Sequence, residues 1–197
     1  PASLPRSKMD DVVFLTDADR DAVEACYGRY TTQTHGMLAR HAYTWDSTFT
    51  DPSIRKVGCK RDGRIEGYIF FTFQPGKASH FMSNELLVRE LVYETPEALA
   101  QLLTFLHLQA DQIDRIVFHT QDDAFHYLLR DPRLDDEFIL RPTLYHESNK
   151  QGVGLMYRVI DVPRLFEQLA GHDFGGQTCR LKLTLRDSFL PENEGSW

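Results

Sequence analysis

The sequence predicts an α+β protein: a mixed, largely antiparallel sheet flanked by helices, followed by an incomplete α/β piece. Three observations carry this. Asp62-Gly63 stands between two β-forming runs, the strongest short-range signal for a hairpin. Thr95-Pro96-Glu97 follows a long strand pattern with a helix start, in which Thr caps, Pro suits the first turn and Glu faces the positive end of the dipole. After Ile160 a fresh helix-then-strand pattern begins that is too short to bury itself.

In chain order, residues 1–10 read as a linker, polar and proline-containing. Together with the lack of a methionine at its start, this suggests a piece cut from something longer. Residues 12–15 read as a short strand, and Thr16-Asp17-Ala18-Asp19 as a capping box that opens a helix ended by Gly36. Leu38, His41, Trp45 and Phe49 recur at helical spacing and put Trp45 on a buried stripe, broken by Asp51-Pro52-Ser53. Residues 55–60 and 64–73 form the hairpin. Strict alternation would put Ile65, Gly67, Ile69, Phe71 and Phe73 on one face and Glu66, Tyr68, Phe70 and Thr72 on the other.

Residues 74–80 are turn-rich, and 85–93 form a long strand whose alternation is interrupted at Arg89 and Glu90. Leu87, Leu91 and Tyr93 are expected on one face, with Leu86, Val88 and Val92 on or near the other. The helix begun at Thr95 buries Ala98, Leu99, Leu102, Leu103 and Leu106. A strand over 113–119, a short helix over 123–129 and two antiparallel strands over 138–146 and 153–160 follow. Asp161-Val162-Pro163 caps a further helix, and residues 179–186 alternate as a strand. The predicted layout is therefore a domain over 11–152 and a partial second domain over 153–197.

The chain has 197 residues, 42% of them hydrophobic, which suits a globular core. A net charge of -7 argues against nucleic acid or an anionic membrane as the main partner, and weakly favours a cationic substrate. Cys26, Cys59 and Cys179 are too scattered for a disulfide framework or a CxxC metal site. A reduced, cytoplasmic setting is expected. No run approaches the roughly 18 apolar residues of a membrane span.

Several stretches resemble one known family. Tyr30-Thr31-Thr32-Gln33-Thr34-His35-Gly36-Met37-Leu38-Ala39-Arg40, Trp45, Asp62-Gly63-Arg64-Ile65-Glu66-Gly67-Tyr68 and Glu85-Leu86-Leu87-Val88-Arg89-Glu90-Leu91 are similar to the middle domain of the Eis-like (enhanced intracellular survival) acetyltransferases. Met156-Tyr157-Arg158-Val159-Ile160-Asp161-Val162-Pro163 and Asp187-Ser188-Phe189-Leu190-Pro191-Glu192-Asn193 resemble the opening of that family's C-terminal domain. The resemblance implies a GNAT-like domain without cofactor and the start of a sterol-carrier-protein-like domain. The acetyl-coenzyme A of the parent would sit in an absent N-terminal domain, with an amine substrate at the domain boundary. It also implies the rest of the parent chain as partner, and a homo-oligomer. No catalytic, cofactor-binding or metal-binding residue is carried over by the resemblance.

A GNAT cofactor site needs a strand feeding a helix whose free N–H groups receive the pyrophosphate, usually through a Gln/Arg-x-x-Gly-x-Gly/Ala loop. The matching junction here reads Glu94-Thr95-Pro96-Glu97, with two carboxylates at the phosphate position, one N–H missing at Pro96 and another taken by the Thr95 cap. Gln33-Thr34-His35-Gly36-Met37-Leu38 matches only superficially; a glycine between two helices is the preferred reading. His119, Asp122, Asp123 and His126 have ligand chemistry for Zn²⁺ or Mn²⁺, against a simpler reading of an Asp-capped turn. Glu85 with Glu90 and Glu66 with Tyr68 are imaginable acid/base pairs, although residues five apart on a strand converge only across a bulge. Cys26 lacks an adjacent base, and His107 suits a helix C-terminus. Tyr68, Phe70, Phe71, Phe73 and Phe81 are core residues or, in an alternative reading, the lining of a small-molecule or lipid-binding module.

Overall fold

Asp62 (φ 50°) and Gly63 (φ 81°) both take the left-handed conformation of a two-residue hairpin turn. They join β2 (Arg55–Arg61) to β3 (Arg64–Pro75) in the computed structural model, which describes residues 4, 6–34, 36–76, 84–133, 148–154, 156–178 and 180–196. The turn twists the two strands together, and β1 (Val12–Phe14), β4 (Asn84–Tyr93) and β5 (Arg115–Phe118) extend the ribbon to five strands in the order β1-β2-β3-β4-β5. All neighbours are antiparallel except β4 and β5, which run parallel. This is the mixed, largely antiparallel sheet the sequence predicts.

Helix α3 (Pro96–His107) covers one face, and α1 (Arg20–Gln33) with α2 (Ala42–Thr50) covers the other. The predicted leucine stripe of α3 meets Val57, Ile69, Phe71, Leu86 and Val88 of the sheet. Each such fully buried side chain contributes about 1.5–3 kcal/mol. On the opposite face Val23, Cys26 and Tyr27 of α1 and Trp45 and Phe49 of α2 close over Tyr68, Phe70 and Val92. Trp45 is buried as predicted, but Leu38 lies outside α2 and is exposed, because α2 begins only at Ala42 after an extended His41. Helix α1 stops at Gln33, three residues before Gly36.

Two bulges shift the predicted faces. Cys59 pairs with Gly67 but Lys60 with Ile65, which leaves Glu66 as an extra residue and turns Ile65 toward α1 and α2. Phe70 pairs with Glu90 but Phe71 with Val88, so Arg89 is the extra residue of β4. Leu86, Val88 and Leu91 consequently share the α3 face, where a fixed two-residue period had separated them.

The described part of residues 1–10 lies along α3. Leu4 joins its core, the Ser7 N–H donates to Thr104 Oγ1 (2.7 Å) and Asp11 exchanges two hydrogen bonds with Gln101 (3.0 and 2.8 Å). Beyond β5, a 3-10 turn over Phe125–Leu128 stands where a short helix was expected.

The chain divides into two compact units, Pro1–Gly152 and Val153–Trp197. In the second, Asp161 Oδ1 caps α4 (Val162–Gln168) by accepting from the Arg164 N–H (3.0 Å). Asn193, 1% exposed, accepts from the Val162 N–H (3.1 Å) and donates to Ile160 O (3.3 Å). Asp187 accepts from the N–H groups of Leu190 and Phe189 and from Arg158, and these bonds hold its carboxyl down at about 2. Residues 153–160 form no strand where they are described, and of 179–186 only Thr184–Leu185 (β6) pairs, with Gly195–Ser196 (β7). Alternation marks a segment fit for a ladder, and a ladder forms only where a second strand satisfies it. The strand predicted over 138–146 lies outside the described residues, as do Phe81, Cys179 and His35.

Candidate functional site

The junction where β4 feeds α3 is the place to test for a phosphate site. Thr95 is extended (φ -132°, ψ 150°) and its Oγ1 accepts from the Ala98 N–H (3.1 Å), while Pro96 at the first helical position has no N–H to offer. Glu97, exposed, adds a negative charge to the first turn. Thr95 thus satisfies the Ala98 N–H through its side chain and the Leu99 N–H through its carbonyl (3.1 Å).

Glu94 does something other than repel a phosphate. Its carboxylate receives Arg29 in a fork (Nε 2.9 and 3.0 Å, Nη2 2.6 Å) and also a hydrogen bond from Arg64, while Arg29 Nη2 donates to Ile65 O (2.8 Å). Burial pushes this carboxyl up, but the hydrogen bonds from Arg29, Cys26 and Arg64 outweigh it and hold the group below its ordinary value. Glu94 is a clamp joining α1, the hairpin and the end of β4. The like-charge argument from sequence thus loses one of its two charges; the Thr95 cap, Pro96 and the Glu97 charge remain at the junction.

A second polar cluster lies under α1 and α2. Glu90 accepts two bonds from Arg40 (2.9 and 2.5 Å), whose guanidinium stacks over Tyr27 (4.2 Å) and Trp45 (4.9 Å). The Tyr68 hydroxyl beside them is fully buried and has no hydrogen-bond partner among the described residues; burial, then the Glu90 charge, drives its pKa well above the usual value. Such a phenol stays protonated at neutral pH.

The other sequence candidates separate. The Arg89 bulge does put Glu85 and Glu90 on one face, yet five residues of strand hold them about 15 Å apart. Glu66 pairs with Arg61 (3.6 Å) rather than with Tyr68. Cys26 is buried, and desolvation followed by its hydrogen bond to Glu94 pushes its thiol up to about 12. His107 is buried: Arg6 Nε donates to its Nε2 (2.6 Å), so the ring proton sits on Nδ1 and points at Leu4 O (3.0 Å). It ties the N-terminal strap to the end of α3.

Asp122 Oδ1 accepts from the Ala124 N–H (2.9 Å) and His126 stacks on Tyr127 (4.1 Å), which is the capped-turn arrangement. No group of three or more His, Cys, Asp or Glu poised to hold a metal occurs among the described residues. Tyr68 and Phe70 face α1 and α2, Phe71 faces α3 and Phe73 is half exposed, so the four described aromatics line no common pocket. Among the described residues no helix is long and apolar enough to cross a membrane.

A family profile described as an acetyltransferase (GNAT) domain matches residues 36–159. The chain belongs to the GNAT acetyltransferase family. The matched span runs from the loop before α2 to the segment before α4, and so contains the hairpin, the bulged β4 and the capped junction. No curated protein matches the chain. Among solved structures, a GCN5-related N-acetyltransferase from Anabaena variabilis ATCC 29413 is similar at 23% identity with a TM-score of 0.52, over 66% of this chain and 32% of that one. A ribosomal-protein-alanine N-acetyltransferase from Brucella melitensis biovar Abortus 2308 matches at 14% identity and a TM-score of 0.46, over 58% of this chain and 83% of that one. The α+β fold with its mixed five-stranded sheet is GNAT-like.

Sequence reasoning missed the Arg29–Glu94–Arg64 clamp and the Arg40–Glu90 pair. Their partners lie 30 to 65 residues apart in sequence, and no local pattern links them.

Proposed function

We propose that this chain is the non-catalytic scaffold portion of an Eis-like N-acetyltransferase. Residues 11–152 are its GNAT-like middle domain and residues 153–197 the opening of its sterol-carrier-like domain. The parent transfers an acetyl group from acetyl-coenzyme A to an amine. This portion helps to wall the acceptor pocket, while an N-terminal domain of the parent holds the cofactor. The net charge of -7 suits a cationic amine.

The single observation that carries the reading is the closed entrance of α3. Thr95 Oγ1 holds the Ala98 N–H, Pro96 offers none, and a carboxylate rides on Glu97. An anion arriving there would displace a cap and face a charge of its own sign. The second unit adds support: Val153, Met156, Ile160 and Phe189 are 74–93% exposed, the pattern of a layer that needs a further one to cover it. The test is calorimetry of the chain with acetyl-coenzyme A. No heat of binding at micromolar concentrations is expected; saturable micromolar uptake would replace the scaffold with a working transferase.

A further inference from the structure

We propose that Glu90, Tyr27 and Trp45 form a receptor for a guanidinium group, filled from within by Arg40, and that it accepts an external guanidinium compound once the Arg40 side chain is removed. The receptor stands on regular elements. Tyr27 belongs to α1, Trp45 to α2 and Glu90 to β4, and the two rings pack in one core with Phe70 and Val92 on either side of Glu90 in the sheet. Its occupant does not: Arg40 lies among residues 36–41, which carry neither helix nor strand between α1 and α2. A rigid host and an occupant on a connecting segment are separable parts.

The chemistry of the host selects this cation. Arg40 meets the Glu90 carboxylate in a fork, Nη1 to Oε2 (2.9 Å) and Nη2 to Oε1 (2.5 Å), while its guanidinium carbon lies 4.2 Å from the Tyr27 ring centre and 4.9 Å from that of Trp45. The two rings meet edge-on at 5.4 Å, and the Tyr27 hydroxyl is spent on Leu38 O (2.6 Å), so the ring face is what it offers the cation. An ammonium has no planar fork for the carboxylate and no flat face for the rings. The Glu90 side chain is only 12% exposed, so the carboxylate pays heavily for standing without a cation.

The Tyr68 hydroxyl is a second, independent pointer. It is fully buried within electrostatic reach of Glu90 and Arg40, and it has no hydrogen-bond partner among the described residues. A guanidinium carries five N–H donors, of which Arg40 gives two to Glu90. A compound without the tether of Arg40 has donors left for the Tyr68 oxygen. In the intact chain the tether makes Arg40 an intramolecular competitor, so a dilute external guanidinium is shut out.

The proposal does not rest on the transferase reading, and its test involves no acetyl-coenzyme A. The full chain carrying Arg40→Ala is expected to melt several degrees below the wild type, because Glu90 loses its partner. Methylguanidinium in the millimolar range is expected to restore part of that loss saturably, and an equal concentration of methylammonium to restore none. The wild-type chain is expected to respond to neither, and Glu90→Gln added to Arg40→Ala is expected to abolish the response. Absence of saturable restoration, equal restoration by methylammonium, a wild-type response of the same size, or a response that survives Glu90→Gln would overturn the proposal. Should Arg40→Ala fail to fold alone, refolding from urea decides. Native circular dichroism recovered in methylguanidinium and not in methylammonium supports the receptor, and no such recovery overturns it.

Discussion

At the level of single residues, the half-buried carboxylates of Glu94 and Glu90 are held by arginines from distant parts of the chain. Glu94 illustrates it. Its folded pKa lies below the ordinary 4.5, so the folded state binds fewer protons than the unfolded one around that value. Its stabilising contribution is therefore complete above the ordinary value and is lost as pH falls through the folded one. Glu94→Gln should lower stability at neutral pH by about 1–2 kcal/mol and flatten the acid limb, measured by urea unfolding at neutral and acid pH. The thiols give a second test. Cys26 and Cys59 are buried, with pKa values pushed up to about 12 and about 11, chiefly by desolvation. Both should resist iodoacetamide in the folded chain at neutral pH and react after unfolding in guanidinium, as read by peptide mass mapping; labelling of folded Cys26 would contradict the burial.

At the level of elements, the helix caps Thr95 and Asp161 written in the sequence close as local chemistry dictates, and the Thr16 N–H donates to Asp19 Oδ2 (3.0 Å) in the capping box. Thr95→Ala should cost about 1 kcal/mol, seen as a lower midpoint with unchanged m-value. The sheet behaves differently, because period counting assumes that no strand carries an extra residue. Glu66 and Arg89 each break that assumption and re-aim every side chain beyond them. Gly67, next to the first bulge, is held by close approach: a Cβ there would stand 2.9 Å from Val92 O and 3.1 Å from Leu102. Gly58 meets only the flexible end of Leu15, at 2.8 Å. Gly67→Ala should therefore destabilise by about 1–3 kcal/mol, and more than Gly58→Ala, in paired thermal melts; the reverse order would contradict the packing of β3 on α3.

At the level of the molecule, both core clusters lie wholly within Pro1–Gly152, whereas Val162 and Asn193 are the buried residues described in the second unit. The polypeptide of residues 1–152 should keep the main cooperative transition of the full chain, as followed by circular dichroism. Loss of that transition would mean that the second unit supplies part of the core.

The α+β class, the hairpin, the leucine face of α3 and the capped junction were all written in the sequence. Each depends on neighbours within about one or two turns of chain, where sterics and hydrogen-bonding geometry act locally. Which face Ile65 or Leu91 occupies, that Glu94 answers Arg29 and Arg64, and that Tyr68 is sealed beside the Arg40–Glu90 pair were decided by tertiary structure. Those outcomes depend on register and on charges brought together from distant positions, and neither is set until the layers close on one another.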